Sequence, residues 1–141
     1  VSYEDSWMEE RTYGGKRGHE GTDLMPPTNQ RGFYPVFSAT AGTVEHMGWL
    51  QKGGWRIGIR SEQGGYFYYA HLSEYAPGME EGKTVEAGEM LGYMGDSGYG
   101  EEGTVGQFAV HLHFGIYIQT ADGQEVSVDP YWILKGLEGE P

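Results

Sequence analysis

The sequence contains no cysteine among its 141 residues, and this absence limits how the chain can hold a metal ion or perform catalysis. Without thiols there is no disulfide framework, no thiolate metal cage and no cysteine nucleophile. Any metal bound by the protein must therefore be held by histidine and carboxylate side chains. The sequence has five histidines, so the candidates for such a site are few.

Basic residues are also scarce, with nine Lys and Arg against 21 Asp and Glu, which gives a formal net charge of −12. Such a chain would repel a polyanion, and this excludes nucleic acid as a partner. Long hydrophobic runs are missing as well, so no segment of the sequence predicts a membrane span. The acidity favours cations, including divalent metals, but it does not locate a site.

Glycine and tyrosine, in contrast, are abundant, with 25 and 11 copies. Many short strands joined by tight turns would account for this composition, and a helical bundle would not. The length fits one domain of ordinary size. We predict an all-β domain over residues 18–134, between an irregular N-terminal arm of residues 1–17 and a C-terminal tail of residues 135–141. Because neither an initiator Met nor a signal peptide opens the sequence, we expect it to be part of a longer protein.

Residues 110–118 are apolar, β-branched or aromatic around two histidines, His111 and His113, and this pattern predicts a strand. Residues two apart on a strand point to the same face, so the two imidazoles would enter one space. Both could bind one metal ion, or one could bind it while the other acts on a water or substrate at that ion. The spacing leaves both alternatives open, and two polar residues on a solvated sheet face would show it too.

A β-hairpin is predicted from residues 55–60 and 66–72, which flank the turn residues Gln63-Gly64-Gly65. His71 would lie near the end of the second strand, on the same face as Tyr69, where a hydrogen bond to a loop is the structural alternative. Residues 83–95 predict two further short strands that are hinged on a glycine. Residues 96–108 form a long, acidic, glycine-rich segment before the central strand, and we expect a functional rim or lid there.

His19 and Asp23 form a third suggestive pair. On a continuous strand their Cα atoms would lie about 13 Å apart, too far to share one ion. Glycines and Pro26-Pro27 oppose a helix, but a bend near Gly21 would bring the two side chains together. A surface histidine and a turn aspartate explain the pair equally well. His46 has no partner pattern around it, and we interpret it as a surface or strand-end histidine.

The candidate residues belong to three short motifs, in chain order: His19-x-x-x-Asp23, Tyr69-Ala70-His71-Leu72 and His111-Leu112-His113-Phe114. Their order and approximate spacing resemble those of the lysostaphin/LytM-type zinc metallopeptidases. The glycine frame of residues 82–98 resembles the stretch that precedes the last motif in that family. The resemblance covers residues 17–134 and implies a two-sheet antiparallel domain, sandwich-like or barrel-like, with a central groove.

The same resemblance implies a zinc-dependent endopeptidase that hydrolyses peptide bonds in bacterial cell-wall peptidoglycan. One zinc ion per chain would be bound by His19, Asp23 and His113, while His71 and His111 would act on the water and the transition state. The division of roles between these last two histidines stays open. We expect a peptidoglycan peptide as substrate, a monomer, and an extracellular location at the bacterial cell wall, with a preceding N-terminal region as the place for a membrane anchor.

Two other hypotheses remain. A non-catalytic peptidoglycan-binding or hydrolase-activator domain could retain a metal site, although five intact positions argue against it. A β-barrel metal protein could use both His111 and His113 as ligands for unrelated chemistry, although the glycine frame and Tyr69-Ala70-His71 argue against that. The sequence does not identify which peptide bond is cut.

Overall fold

A computed structural model of the protein describes residues 2–3, 9–11, 17–19, 22–119, 121 and 123–128. These residues form the following strands: β1 Ser2–Tyr3, β2 Glu9–Arg11, β3 Arg17–His19, β4 Thr22–Met25, β5 Pro35–Phe37, β6 Gly42–Leu50, β7 Gly54–Ser61, β8 Tyr66–Tyr75, β9 Thr84–Val85, β10 Met90–Met94, β11 Leu112–Gln119 and β12 Glu125–Val128. No helix occurs among them, and hence none that could cross a membrane. The all-β prediction is confirmed.

Ten of these strands form one large sheet, and β2 and β3 form a separate two-stranded sheet. The large sheet runs in the order β1-β4-β11-β8-β7-β6-β9, with β12 paired to β11 and with β10 paired to both β8 and β5. Every pairing is antiparallel. The predicted hairpin is confirmed as β7 and β8, but β8 continues three residues beyond its predicted end.

Strand β8 changes its partner in the middle. Its residues 66–70 pair with β11, whereas its residues 72–75 pair with β10. His71 lies at the change of partner and has a φ of 65°, a conformation that is costly for any residue with a Cβ. The usual alternation of side chains is broken there. Tyr69 is in the core, whereas the ring of His71 lies beside the ring of His113, so the prediction that Tyr69 and His71 share a face is wrong.

The hydrophobic core lies on one face of the large sheet. Ile57, Ile59, Tyr69 and Phe114 come from three adjacent strands and are at most 2% exposed. The rings of Tyr69 and Phe114 pack with centroids 5.1 Å apart. Because neighbours along a strand point to opposite faces, the residue before Phe114, His113, points away from this core. The sheet therefore separates a packed apolar face from the face that carries the histidines.

Three other sequence predictions can be compared with the structure. The short strands predicted in residues 83–95 are β9 and β10, and the glycine between them, Gly88, has a φ of 87°. The central strand begins at Leu112, so His111 precedes it and forms an isolated bridge with Gly95. The N-terminal arm is not irregular where it is described, since β1, β2 and β3 begin within it. The domain boundaries themselves remain a prediction.

The hydroxyl of Tyr69 is a polar group of the hairpin that is buried in the core. The backbone N–H of Ala39 donates a hydrogen bond to this hydroxyl at 2.9 Å, and burial raises the pKa of Tyr69 to about 12. Tyr69→Phe should lower the free energy of unfolding by about 1 kcal/mol, the net contribution of one such bond. Urea denaturation would measure this. Tyr34→Phe, which removes an exposed hydrogen bond to Thr28, should change stability less and serves as the control.

Candidate metal centre and active site

Asp23 of β4 and His113 of β11 are direct partners across the sheet, and partners in an antiparallel pair share a face. His113 Nδ1 lies 3.1 Å from Asp23 Oδ1, and the two side chains are 15% and 23% exposed. Two ligands of one tetrahedral zinc ion would lie about 3.3–3.6 Å apart for bonds of 2.0–2.2 Å. The observed 3.1 Å is slightly shorter than this range, and the pair supplies the nitrogen and oxygen donors that a divalent ion such as zinc accepts.

His111 approaches the same space from just before β11. Its Nε2 lies 3.8 Å from Asp23 Oδ1, and its side chain is 14% exposed. Its Nδ1 lies 2.9 Å from the carbonyl oxygen of Ala109, which can only accept, so Nδ1–H is the donor. In the neutral ring this hydrogen bond leaves the lone pair on Nε2, the atom that faces Asp23.

His71 closes the cluster from β8 and is 6% exposed. Its backbone N–H donates to the carbonyl of Gly53 at 2.7 Å, and its ring Nδ1–H donates to the carbonyl of Ser97, also at 2.7 Å. The centroid of its ring lies 4.8 Å from that of His111 and 6.2 Å from that of His113. The structure thus brings together four of the five predicted site residues from three strands and a bridge.

The surroundings of His71 keep its ring neutral. Burial, and then the proximity of His111, lower the pKa of His71 to about 3. At neutral pH the ring therefore carries a single proton, which the hydrogen bond to Ser97 places on Nδ1. The lone pair is then on Nε2. An imidazole in this state can accept a proton from a nearby water.

Two aromatic rings from the segment of residues 96–108 pack against these histidines. Tyr99 stacks on His71 with centroids 5.9 Å apart and an interplanar angle of 26°. Phe108 meets His71 at 4.7 Å and His111 at 5.0 Å, both edge to face. The sequence predicted a rim or lid in residues 96–108, but it did not single out Tyr99 or Phe108. An isolated aromatic residue in a glycine-rich loop has no periodic pattern from which its contacts could be predicted.

Tyr68 is a further neighbour that the sequence did not single out. It lies between Gly58 and Gly115 across the sheet, on the same face as His113, and its ring centroid is 6.1 Å from that of His113. Burial raises the pKa of Tyr68 to about 12, so the phenol stays protonated. Gly53 leaves the space that the Tyr68 hydroxyl occupies, because a Cβ added there would lie 2.5 Å from that oxygen.

The remaining predicted ligand, His19, ends β3, and its side chain lies outside the described residues. Within the described part of the chain, no group of three or more His, Asp and Glu side chains is arranged to hold a metal ion. Asp23 and His113 fit as two ligands, and a third must complete them. His46 stands apart: its side chain is 53% exposed, and its Nδ1 lies 3.2 Å from the hydroxyl of Tyr66.

The sequence and the fold were compared with those of known proteins. Residues 17–130 match the family described as Peptidase family M23. The L-Ala--D-Glu endopeptidase of Bacillus subtilis (strain 168) is 44% identical over 137 residues, which cover 97% of this chain and 40% of that protein. A crystal structure of a protein from Ruminococcus gnavus ATCC 29149, described as a glycyl-glycine endopeptidase lytM, is 62% identical in sequence and has a TM-score of 0.88. The match covers 97% of this chain and 54% of that one.

The catalytic domain of lysostaphin from Staphylococcus simulans is also similar, with 27% identity and a TM-score of 0.68 over 94% of this chain and 90% of that chain. The chain spans 40% and 54% of the lengths of the first two relatives, so it corresponds to a part of each. The matched region, residues 17–130, includes all five candidate residues. The chain belongs to peptidase family M23.

Proposed function

We propose that this domain is a zinc-dependent endopeptidase that hydrolyses peptide bonds in bacterial cell-wall peptidoglycan. The observation that carries the proposal is the meeting of Asp23, His71, His111 and His113 on one face of the sheet, in a chain of a peptidase family. Two of these imidazoles donate their Nδ1–H to backbone carbonyls, which leaves Nε2 available for proton transfer. The two relatives named above as endopeptidases support the peptide substrate.

The metal would be held by Asp23 and His113, with His19 as the third ligand. Three protein ligands leave a fourth position for water or substrate, which is the pattern of catalytic zinc sites. When bound there, zinc supplies a lowered pKa of about 7 for a water and polarises the scissile carbonyl. Because the chain has no cysteine, histidine and carboxylate side chains are the zinc-ligand types that it can offer, and the proposed ligands are of these types.

In this proposal the two other histidines move protons. The hydrogen bond to Ser97 leaves the lone pair of His71 on Nε2, and this nitrogen accepts the proton of the attacking water. His111 faces the same space, with its ring 4.8 Å from that of His71. It relays the proton that His71 took from the water to the departing amine, so that both rings return to the neutral Nδ1–H form. Phe108 and Tyr99 exclude water from one side of these rings.

The test is digestion of purified peptidoglycan of known composition, with mass spectrometry of the released fragments. New amino and carboxyl termini within the peptides would establish endopeptidase activity, and the fragment masses would identify the bond. Zinc binding without any fragments would favour the alternative, a non-catalytic peptidoglycan-binding or activator domain. The substrate also fixes the place of action that we propose, the extracellular face of a bacterial cell wall, where we expect the domain to act as a monomer.

The purified domain is expected to contain about one zinc ion per chain, because one set of three ligands is proposed. Elemental analysis of protein prepared without chelators would measure the ratio. His46→Ala is the matched control and should leave the zinc content unchanged, since His46 lies on an exposed part of β6. A metal-free preparation with full activity would contradict the zinc proposal.

The exposed tip of the segment of residues 96–108 is expected to influence substrate choice. Residues 101–103 are exposed, whereas Tyr99 and Phe108 contact the histidines. Replacing residues 101–103 by a shorter link should change the relative rates for different peptidoglycan peptides while zinc content stays the same. Competition between two defined peptides, followed by mass spectrometry, would measure this. Loss of zinc in the variant would show instead that the tip supports the metal centre.

A further inference from the structure

Ser97 is fully buried, and it contacts the hairpin of β7 and β8 at three positions, one of which is His71. Its hydroxyl donates a hydrogen bond to the carbonyl of Leu72 at 2.7 Å and accepts one from the backbone N–H of Trp55 at 3.1 Å. Its own carbonyl accepts the ring Nδ1–H of His71 at 2.7 Å. One small residue is thus held by β7 and β8 through its side chain and holds His71 through its backbone.

Two glycines, Gly54 and Gly98, allow the backbone around Ser97 to lie close to the hairpin and to His71. A Cβ added to Gly54, which has a φ of 66°, would lie 2.4 Å from the carbonyl oxygen of Ser97. A Cβ added to Gly98, which has a φ of 128°, would lie 2.3 Å from the carbonyl oxygen of Lys52 and 3.1 Å from His71 Nδ1. A side chain at either position would push the Ser97 peptide or the His71 ring out of place. The contact between Ser97 and His71 therefore depends on glycine at both positions.

His71 needs such support because its backbone is in a costly conformation. Its φ of 65° is unfavourable for a residue with a Cβ, and such conformations persist when the surrounding structure fixes them. Two hydrogen bonds from different segments do so here: the backbone N–H of His71 to Gly53 and its ring Nδ1–H to Ser97. Of the two, only the bond to Ser97 acts on the ring, and so only it selects which nitrogen carries the proton.

We propose that Ser97 is a positioning residue for His71. Its hydroxyl fixes the peptide whose carbonyl keeps the His71 proton on Nδ1, so that the lone pair on Nε2 is available to the reaction. The inference rests on the proposed function, in which His71 accepts a proton. The effect is specific to one histidine, because the Nδ1–H of His111 donates to a different carbonyl, that of Ala109.

The central variant is Ser97→Ala, which removes both hydrogen bonds of the hydroxyl. We expect kcat for peptide hydrolysis to fall by about 10- to 1,000-fold, between the effect of losing an outer partner and that of a wrong catalytic tautomer. KM and zinc content should stay within about twofold of the wild type, because Ser97 contacts neither of the described metal-ligand candidates. Ser61→Ala is the matched control: it also removes a buried hydroxyl, which accepts the N–H of Gly65 at 3.0 Å.

A spectroscopic measurement separates positioning from a loss of stability. Long-range ¹H–¹⁵N correlation spectra of the zinc-loaded domain report the tautomer of each histidine ring. In the wild type His71 should show only the Nδ1–H form. In Ser97→Ala a mixture of tautomers should appear for His71, while the signals of His111 remain unchanged. A variant that is merely less stable would keep the wild-type tautomer in its folded fraction.

Conservative variants make the test robust if Ser97→Ala does not fold. Ser97→Thr keeps the hydroxyl and should retain kcat within about threefold, whereas Ser97→Cys keeps the shape with a weak donor and should fall between Thr and Ala. An unchanged kcat in both the Ala and Cys variants, an unchanged His71 tautomer, or an equal loss in Ser61→Ala would overturn the inference. A wild type that neither binds zinc nor cleaves peptidoglycan would overturn the proposed function instead, while the tautomer comparison would still decide the structural step.

Discussion

Asp23→Ala and His113→Ala are each expected to lose bound zinc and peptidoglycan hydrolysis together. The two side chains are cross-strand partners with donor atoms 3.1 Å apart, so removing either leaves too few ligands for the ion. Activity should fall by more than about 100-fold, since even the outer partners of metal ligands contribute 10- to 100-fold. Zinc content by elemental analysis and fragment release by mass spectrometry would be measured on the same preparations.

Two matched variants serve as controls for this result. His46→Ala removes an exposed histidine from β6, and Glu74→Ala removes an exposed carboxylate from β8. Both should keep zinc and activity near the wild-type level. His19→Ala should behave like Asp23→Ala if His19 is the third ligand. Full zinc content in His113→Ala would contradict the assignment of His113 and direct attention to His111 as the ligand.

The parts of the fold that local patterns determine were predictable from the sequence. Alternation of Trp55, Ile57 and Ile59 and the turn at Gly64-Gly65 predicted the hairpin of β7 and β8, which the structure shows. The two-residue spacing of His111 and His113 predicted one shared space, and their rings do meet there with His71. These patterns depend on the period of a strand, which is a local property of the backbone.

The placement of His71 was not predictable in the same way. A regular strand would put it on the face of Tyr69, which is the core face. The structure turns it to the other face because β8 exchanges β11 for β10 at this residue, and φ becomes 65°. Such a change depends on which strands are neighbours in space. The sequence around Tyr69-Ala70-His71 does not contain that information.

The same reason explains why Ser97, Tyr99, Phe108 and Tyr68 were not identified. Each acts through a contact with a residue far away in the chain, such as the bond between Ser97 and His71, which are 26 positions apart. Asp23 and His113, the two proposed ligands that the structure describes, are separated by 90 positions. A motif shows the type of residue that the chemistry requires, but only the register of β4, β11 and β8 shows which of those residues meet.

The register of β4, β11 and β8 also determines which side chains lie side by side at the candidate site. Asp23, His113 and Ala70 form one row across β4, β11 and β8. The small side chain of Ala70 leaves room beside His113 on this row. His71 and His111 reach the ring of His113 or its partner Asp23 from outside the regular pairing, one at a change of partner and one in an isolated bridge. The proposed ligands Asp23 and His113 thus come from regular strands, and the proposed proton-transfer groups His71 and His111 come from irregular positions, so they do not compete for the same backbone pairing.

His71→Ala and His111→Ala are accordingly expected to keep zinc and lose activity, by about 10²- to 10⁴-fold for a lost general acid or base. Each ring directs its Nδ1–H to a backbone carbonyl and leaves Nε2 for the reaction, whereas His113 directs Nδ1 to Asp23. Zinc stoichiometry and peptidoglycan hydrolysis should be measured together for these variants and for His113→Ala. If His111→Ala loses the metal as readily as His113→Ala does, both histidines of the pair are ligands, and the catalytic role that we propose for His111 is wrong.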